Sequence, residues 1–179
     1  MKAFIILLFS VVQLYAQDNN FYTLQFSTPT GQIRSFGEFK GKKVMLVILP
    51  VNKTDSNLKI LSSIDSFATA FQSRIAVVGI PTFEYGYNDD SLVALTDWYR
   101  KFGGKNLIVS KGLISGKTNK SQSQLFAWLT NASLNGHFDQ EIDGPGEVFF
   151  IDESGQLYGI ISATAFLNGK IFKKMAHIP

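Results

Sequence analysis

The chain has 179 residues, 45% of them hydrophobic, with 16 Phe and no Cys. That is enough chain for one domain with a real core, and it excludes disulfides and every form of thiol chemistry. The formal net charge of +3, with no basic cluster of five or more residues, gives no case for nucleic acid as a partner.

Met1 to Ala16 (MKAFIILLFSVVQLYA) reads as a secretory signal peptide: Lys2 supplies the charge, Ala3 to Val12 the apolar core, and Ala16 the small residue before a cleavage site. Its apolar core is short of the ~20 residues a spanning helix needs, so cleavage is expected rather than retention as an anchor. No other stretch is long and apolar enough to cross a bilayer. The expected division is a leader over 1–16 and one domain over 17–179, secreted or periplasmic.

Phe21 to Phe26 alternates, with Tyr22, Leu24 and Phe26 on one face. Across the turn Thr28-Pro29-Thr30-Gly31, residues 32–36 can pair back, which predicts an N-terminal β-hairpin. Gly37 to Gly41 is a connector. Val44 to Leu49 is an unbroken apolar run, ended by Pro50, and reads as a central strand covered on both faces. Ligands of such sheets sit at the carboxyl ends of the strands, so the turn Asn52 to Asn57 is the first place to look for a site.

Leu58, Leu61, Ile64, Phe67, Ala68 and Phe71 then recur at helical spacing, with Asp55 or Ser56 able to cap the helix. Arg74 to Ile80 is a second buried strand. A helix is predicted from about Ser91 to Phe102, a short strand over Asn106 to Ser110, and a short helix over Gln122 to Thr130. Asn131 to Gly146 reads as irregular. Glu147 to Ile151 and Gln156 to Ile161 form a second hairpin around Asp152-Glu153-Ser154-Gly155, and Thr164 can cap a last helix carrying Leu167, Ile171 and Met175. A parallel β-α-β half followed by an antiparallel hairpin and a closing helix predicts an α/β, thioredoxin-like plan, with a mixed central sheet flanked by helices.

Three segments also resemble the glutathione peroxidase family of the thioredoxin-like superfamily. Gly41 to Ile48 is similar to that family's strand into the active-site turn, and Val78-Gly79-Ile80-Pro81 to its G-F-P strand end. Gln124 to Thr130 together with Phe149 to Gly155 resembles its P-L-F-x-x-L helix followed by F-L-I-D-x-x-G. The resemblance implies peroxide reduction at a Cys or selenocysteine supported by Gln, Trp and Asn. In this sequence Thr54 stands where the chalcogen is expected, Glu84 where the Gln is, and Gly144 and Pro145 where the Trp-Asn pair is. A threonine hydroxyl is far less acidic than a thiol and has no sulfenate-like state to cycle through, so the family chemistry has no nucleophile here.

Other constellations have two readings each. His137, Asp139, Glu141 and Asp143 share one face if extended, and could hold a divalent metal or form a solvated acidic edge; one histidine without a second is weak support for the metal. Thr54, Asp55 and Ser56 could supply a hydroxyl nucleophile, but one without a base, and helix capping is the better account. Phe83, Tyr85, Tyr87, Trp98 and Tyr99 could line a pocket or pack the loop down on itself. Asn52-Lys53-Thr54 and Asn131-Ala132-Ser133 match the N-glycosylation pattern. His177 is expected to be exposed and inert. The reading favoured is an exported glutathione-peroxidase-like domain without catalytic residues or cofactor, acting as a binding module for a protein or small molecule. The alternative is a peroxide-reducing enzyme of the oxidative stress response, with non-standard chemistry or a thiol supplied by a partner.

Overall fold

The computed structural model describes residues 20–162 and Lys174; the expected leader over 1–16 and the expected last helix from Thr164 lie outside the described residues. Strands β1 (Gln25–Ser27) and β2 (Ile33–Ser35) form a small antiparallel sheet. Strands β3 (Lys43–Ile48), β4 (Ile75–Ile80), β5 (Leu107–Val109), β6 (Val148–Ile151) and β7 (Leu157–Ile161) form a mixed sheet in the order β5-β4-β3-β6-β7. β3, β4 and β5 run parallel, while β6 is antiparallel to β3 and β7 to β6. Helices α1 (Asp55–Phe71) and α2 (Leu92–Phe102) supply the crossovers that parallel pairing requires. Helices α3 (Gln124–Thr130) and α4 (Ala132–Asn135) lie between β5 and β6 in the chain.

β3 has covered faces on both sides, as its continuous apolar run demands. Met45, Val47 and Leu49 belong to one core, with Ile60, Leu61 and Ile64 of α1 and Leu95, Trp98 and Tyr99 of α2. Val44, Leu46 and Ile48 belong to the other, with Leu125, Phe126 and Leu129 of α3 and the aromatic residues Phe21, Phe26 and Phe36. Every residue from Val44 to Leu49 is fully buried.

Several boundaries differ from the sequence expectation, each for a local reason. Phe21–Thr23 is a 3-10 turn rather than strand, because the Asn20 side chain accepts the Tyr22 N–H and the Asn20 carbonyl accepts from Thr23. The hairpin is therefore short, and Phe21 is more deeply buried than Tyr22 or Leu24. The connector after β2 winds into a second 3-10 turn, Phe36–Phe39, closed by a capping box between Ser35 and Glu38. Thr54, not Asp55 or Ser56, caps α1, accepting the Asn57 N–H at 3.3 Å. The segment read as irregular contains α4, held by Asn135. This buried amide donates to the carbonyls of Trp128, Leu129 and Phe138 and accepts from the N–H groups of His137 and Phe138.

β4 must pass close to the chain leaving β3. A Cβ at Gly79 would come within 2.7 Å of the Leu49 side chain, closer than real contacts allow. Gly79→Ala is predicted to cost about 1–3 kcal/mol in a urea titration through overpacking. Leu49→Ala alone should cost about 2–5 kcal/mol through the cavity it leaves. The double variant should be destabilised by less than the sum, because the new methyl occupies space the leucine vacates.

Candidate functional site

The carboxyl ends of β3 and β4 meet three loops. Leu49 continues the parallel ladder by donating its N–H to the Ile80 carbonyl at 2.9 Å. The Pro50 carbonyl accepts from the buried Tyr99 hydroxyl at 2.8 Å. From the other side, Gly146 N–H bonds the Ile48 carbonyl at 2.8 Å and Ile48 N–H bonds the Glu147 carbonyl at 2.9 Å. Gly146 (φ 94) lies in the left-handed region that glycine adopts without a Cβ clash.

Thr54 is exposed at the mouth of this junction, and its hydroxyl oxygen is engaged as the cap of α1. Asn57 reinforces the turn by donating its side-chain amide to the Asn52 carbonyl at 2.8 Å. The Glu84 carboxylate is bound within its own loop system, where one oxygen accepts both the N–H and the hydroxyl of Ser115 at 2.8 Å. Partial burial opposes the charge on Glu84, but these bonds and the Gly116 N–H outweigh it and hold the carboxyl below its ordinary range. Gly144 is buried beneath Tyr85, with Pro145 beside it. Thr54, Glu84, Gly144 and Pro145 thus lie on the loops around the strand ends. The two with polar side chains, Thr54 and Glu84, are each committed to holding a loop.

The acidic stretch is divided between tasks. Asp139 pairs with the Lys117 ammonium, and a Glu141 oxygen accepts the Lys117 N–H at 3.3 Å. His137 and Asp143 are exposed. Among the described residues no three His, Cys, Asp or Glu side chains are grouped to hold a metal ion. The aromatic residues divide as well: Tyr87, Trp98 and Tyr99 are buried in the core beside α1, Tyr85 packs against the opposite core, and Phe83 is 40% exposed. The pairing of Phe83 edge-on to Tyr87, with ring centroids 5.0 Å apart, packs the loop down on itself.

The most perturbed carboxyl at the junction is one that no sequence motif marks. Glu147, directly before β6, has only 1% exposure. Its carboxyl accepts the Asp143 N–H at 2.7 Å and the Gln140 side-chain amide at 3.2 Å. The Tyr85 hydroxyl closes the same loop by donating to the Ile142 carbonyl at 2.6 Å. Burial raises the Glu147 carboxyl to about 7, against the pull of its N–H donors. The available signal was a single acidic residue at the head of an apolar strand, directly after Gly144-Pro145-Gly146. Thr82, at the end of β4, is also fully buried, and its hydroxyl has no partner among the described residues.

Glu147 gives stability a dependence on pH. Between its ordinary value of 4.5 and about 7, the folded chain holds a proton that the unfolded chain releases. Its contribution is therefore full below pH 4.5 and declines as pH rises to about 7, by on the order of 3 kcal/mol. The lowered carboxyls Glu84 and Asp152 act in the opposite sense, and only as pH falls below their own ordinary values of 4.5 and 3.8. Urea titrations from pH 5 to 7.5 should show falling stability in the parent, and a flat profile in Glu147→Gln. Thr82→Val should hold or raise stability, by up to about 1 kcal/mol, since it removes a buried hydroxyl without a partner.

No family model and no curated protein matches the chain. Solved structures do match over most of its length. One is Trgpx in apo form, with a TM-score of 0.59 at 15% identity, covering 86% of this chain and 94% of that one. Another is T. cruzi GPX1, with a TM-score of 0.58 at 14% identity, covering 87% and 93%. A third is a thiol:disulfide interchange protein of the thioredoxin family from Chlorobium tepidum TLS, with a TM-score of 0.56 at 20% identity, covering 88% and 94%. These likenesses agree with the sheet order and helix placement described above: the chain has a thioredoxin-like fold.

Proposed function

We propose that this protein is an exported, glutathione-peroxidase-like domain that has lost thiol peroxidase chemistry and acts as a binding or interaction module. One observation carries the reading. The chain has no Cys, and the residue at the expected reactive position, Thr54, uses its hydroxyl oxygen to cap α1. Peroxide reduction needs a polarizable anion near neutral pH, and neither a capping hydroxyl nor the buried Glu147 carboxyl provides one. Export rests on the leader read in Met1 to Ala16, and among the described residues no helix is long and apolar enough to cross a membrane.

The likeness to Trgpx and T. cruzi GPX1 favours a second reading, in which the domain supports peroxide reduction with a thiol brought by a partner. One assay separates the two. The purified protein should consume no hydrogen peroxide above a boiled control with either glutathione or thioredoxin as reductant. Turnover that survives dialysis and follows the protein through purification would overturn the loss of chemistry.

A further inference from the structure

Among the described residues, the hydrogen bonds of β5 leave one side of the sheet open: β5 pairs there only with β4 and is an edge of the sheet. Ser110 donates its N–H to the Gly79 carbonyl at 2.9 Å, which fixes the phase of the parallel ladder. In that phase Ile108 bonds β4 with both backbone groups, while the N–H and C=O of Leu107 and Val109 point away from the sheet. The next outward group, the Lys111 N–H, is taken by the Ser27 carbonyl of β1 at 2.7 Å. The N-terminal hairpin thus covers one end of this edge, and among the described residues the rest is uncovered.

A cleft of about 580 Å³ occupies that gap, with Leu107 and Val109 on its floor, the Thr28–Thr30 turn on one wall and the end of α2 on the other. Its charge is unbalanced: Arg34, Arg100 and Lys105 line it with a single carboxylate, Glu38. That carboxylate is already held by Arg34 at 2.7 Å. Arg100 has only a loose, exposed pairing with Asp97 at 3.6 Å, and among the described residues Lys105 has no ion-pair partner. An open strand edge offers main-chain hydrogen bonds to an extended segment, and flanking cations select its charge.

We infer that β5 and its cleft bind an extended, acidic peptide segment of a partner protein by strand addition. The segment bonds the outward backbone groups of Leu107 and Val109, and its carboxylates face Arg100 and Lys105. This deepens the binding-module reading and rests on it for the existence of a partner, at a surface separate from the junction around Glu147.

The probe is a fluorescein-labelled peptide of about ten residues alternating Glu and Thr, extended by composition and acidic on one face. Its controls are the same peptide with Lys for Glu, and one with Pro for every Thr, which keeps the charge, removes every second N–H donor and blocks strand pairing. Anisotropy titrations should show saturable binding of the acidic peptide. The Lys and Pro forms should bind about tenfold more weakly or worse, and binding should weaken with added salt. Arg100→Glu with Lys105→Glu, on exposed positions that leave the core intact, should also weaken binding about tenfold.

The inference is overturned by absence of saturation at about 1 mM peptide. It is also overturned if the Pro form binds as tightly as the parent, which would make the site a simple charged patch. Sedimentation that finds a dimer, disrupted by Val109→Pro, would assign the edge to a second copy of this chain and overturn the peptide assignment. Failure of the binding-module reading shows instead as peroxide turnover, a separate measurement on the same preparation.

Discussion

A strand that is apolar on both faces cannot be left half covered, and β3 imposes that condition on the whole chain. Val44 to Leu49 are fully buried, and their alternation feeds two cores. α1 and α2 close one face and α3 with the N-terminal aromatic residues closes the other. The parallel neighbour β4 follows because α1 carries the chain back over the sheet, and Gly79 lets β4 lie against Leu49. What remains for the end of β3 is to leave the core without stranding its backbone groups. It does so through bonds to Ile80, Gly146, Glu147 and Tyr99.

That closure decides how the junction is to be understood. In an open α/β sheet the carboxyl ends of the strands are the natural place for chemistry. Here three polar side chains at the place are engaged in holding loops: Thr54 caps a helix, Glu84 ties one loop to another, and Glu147 gathers the turn before β6, while the Thr82 hydroxyl is buried without a partner among the described residues. A shared scaffold does not imply a shared reaction. The fold resembles that of proteins named for thiol and peroxide chemistry, and this sequence carries no thiol with which to perform it.

Much of the fold was legible because its strongest signals are local. The apolar runs at Val44 and Ile75, the helical spacing from Leu58 to Phe71 and the VFFI/LYGII hairpin each mark an element, and their order gives the sheet. The errors fall where side chains override pattern. Phe21 to Thr23 alternates like a strand but is turned by Asn20, and Asn135 organises a loop whose composition reads as irregular. The site was legible in position and less so in content. Capping within the turn Thr54 to Ser56 follows from residue type, but Asp55 or Ser56 was the expected cap and Thr54 is the observed one. The bonds of Glu84 reach Ser115, 31 residues away, and the burial of Glu147 depends on loops from Tyr85 and Gln140. No spacing rule connects such residues.

The hydrogen bonds at the end of β3 make it a closed structural junction rather than an open reaction site. Native-state hydrogen exchange tests it most directly, because the amides of Ile48, Leu49 and Gly146 are the donors that close the junction. These three amides are expected to exchange as slowly as Leu46, only through global unfolding, and to share its dependence on denaturant. Faster exchange of Ile48, Leu49 and Gly146 through a local opening, with Leu46 still protected, would contradict it.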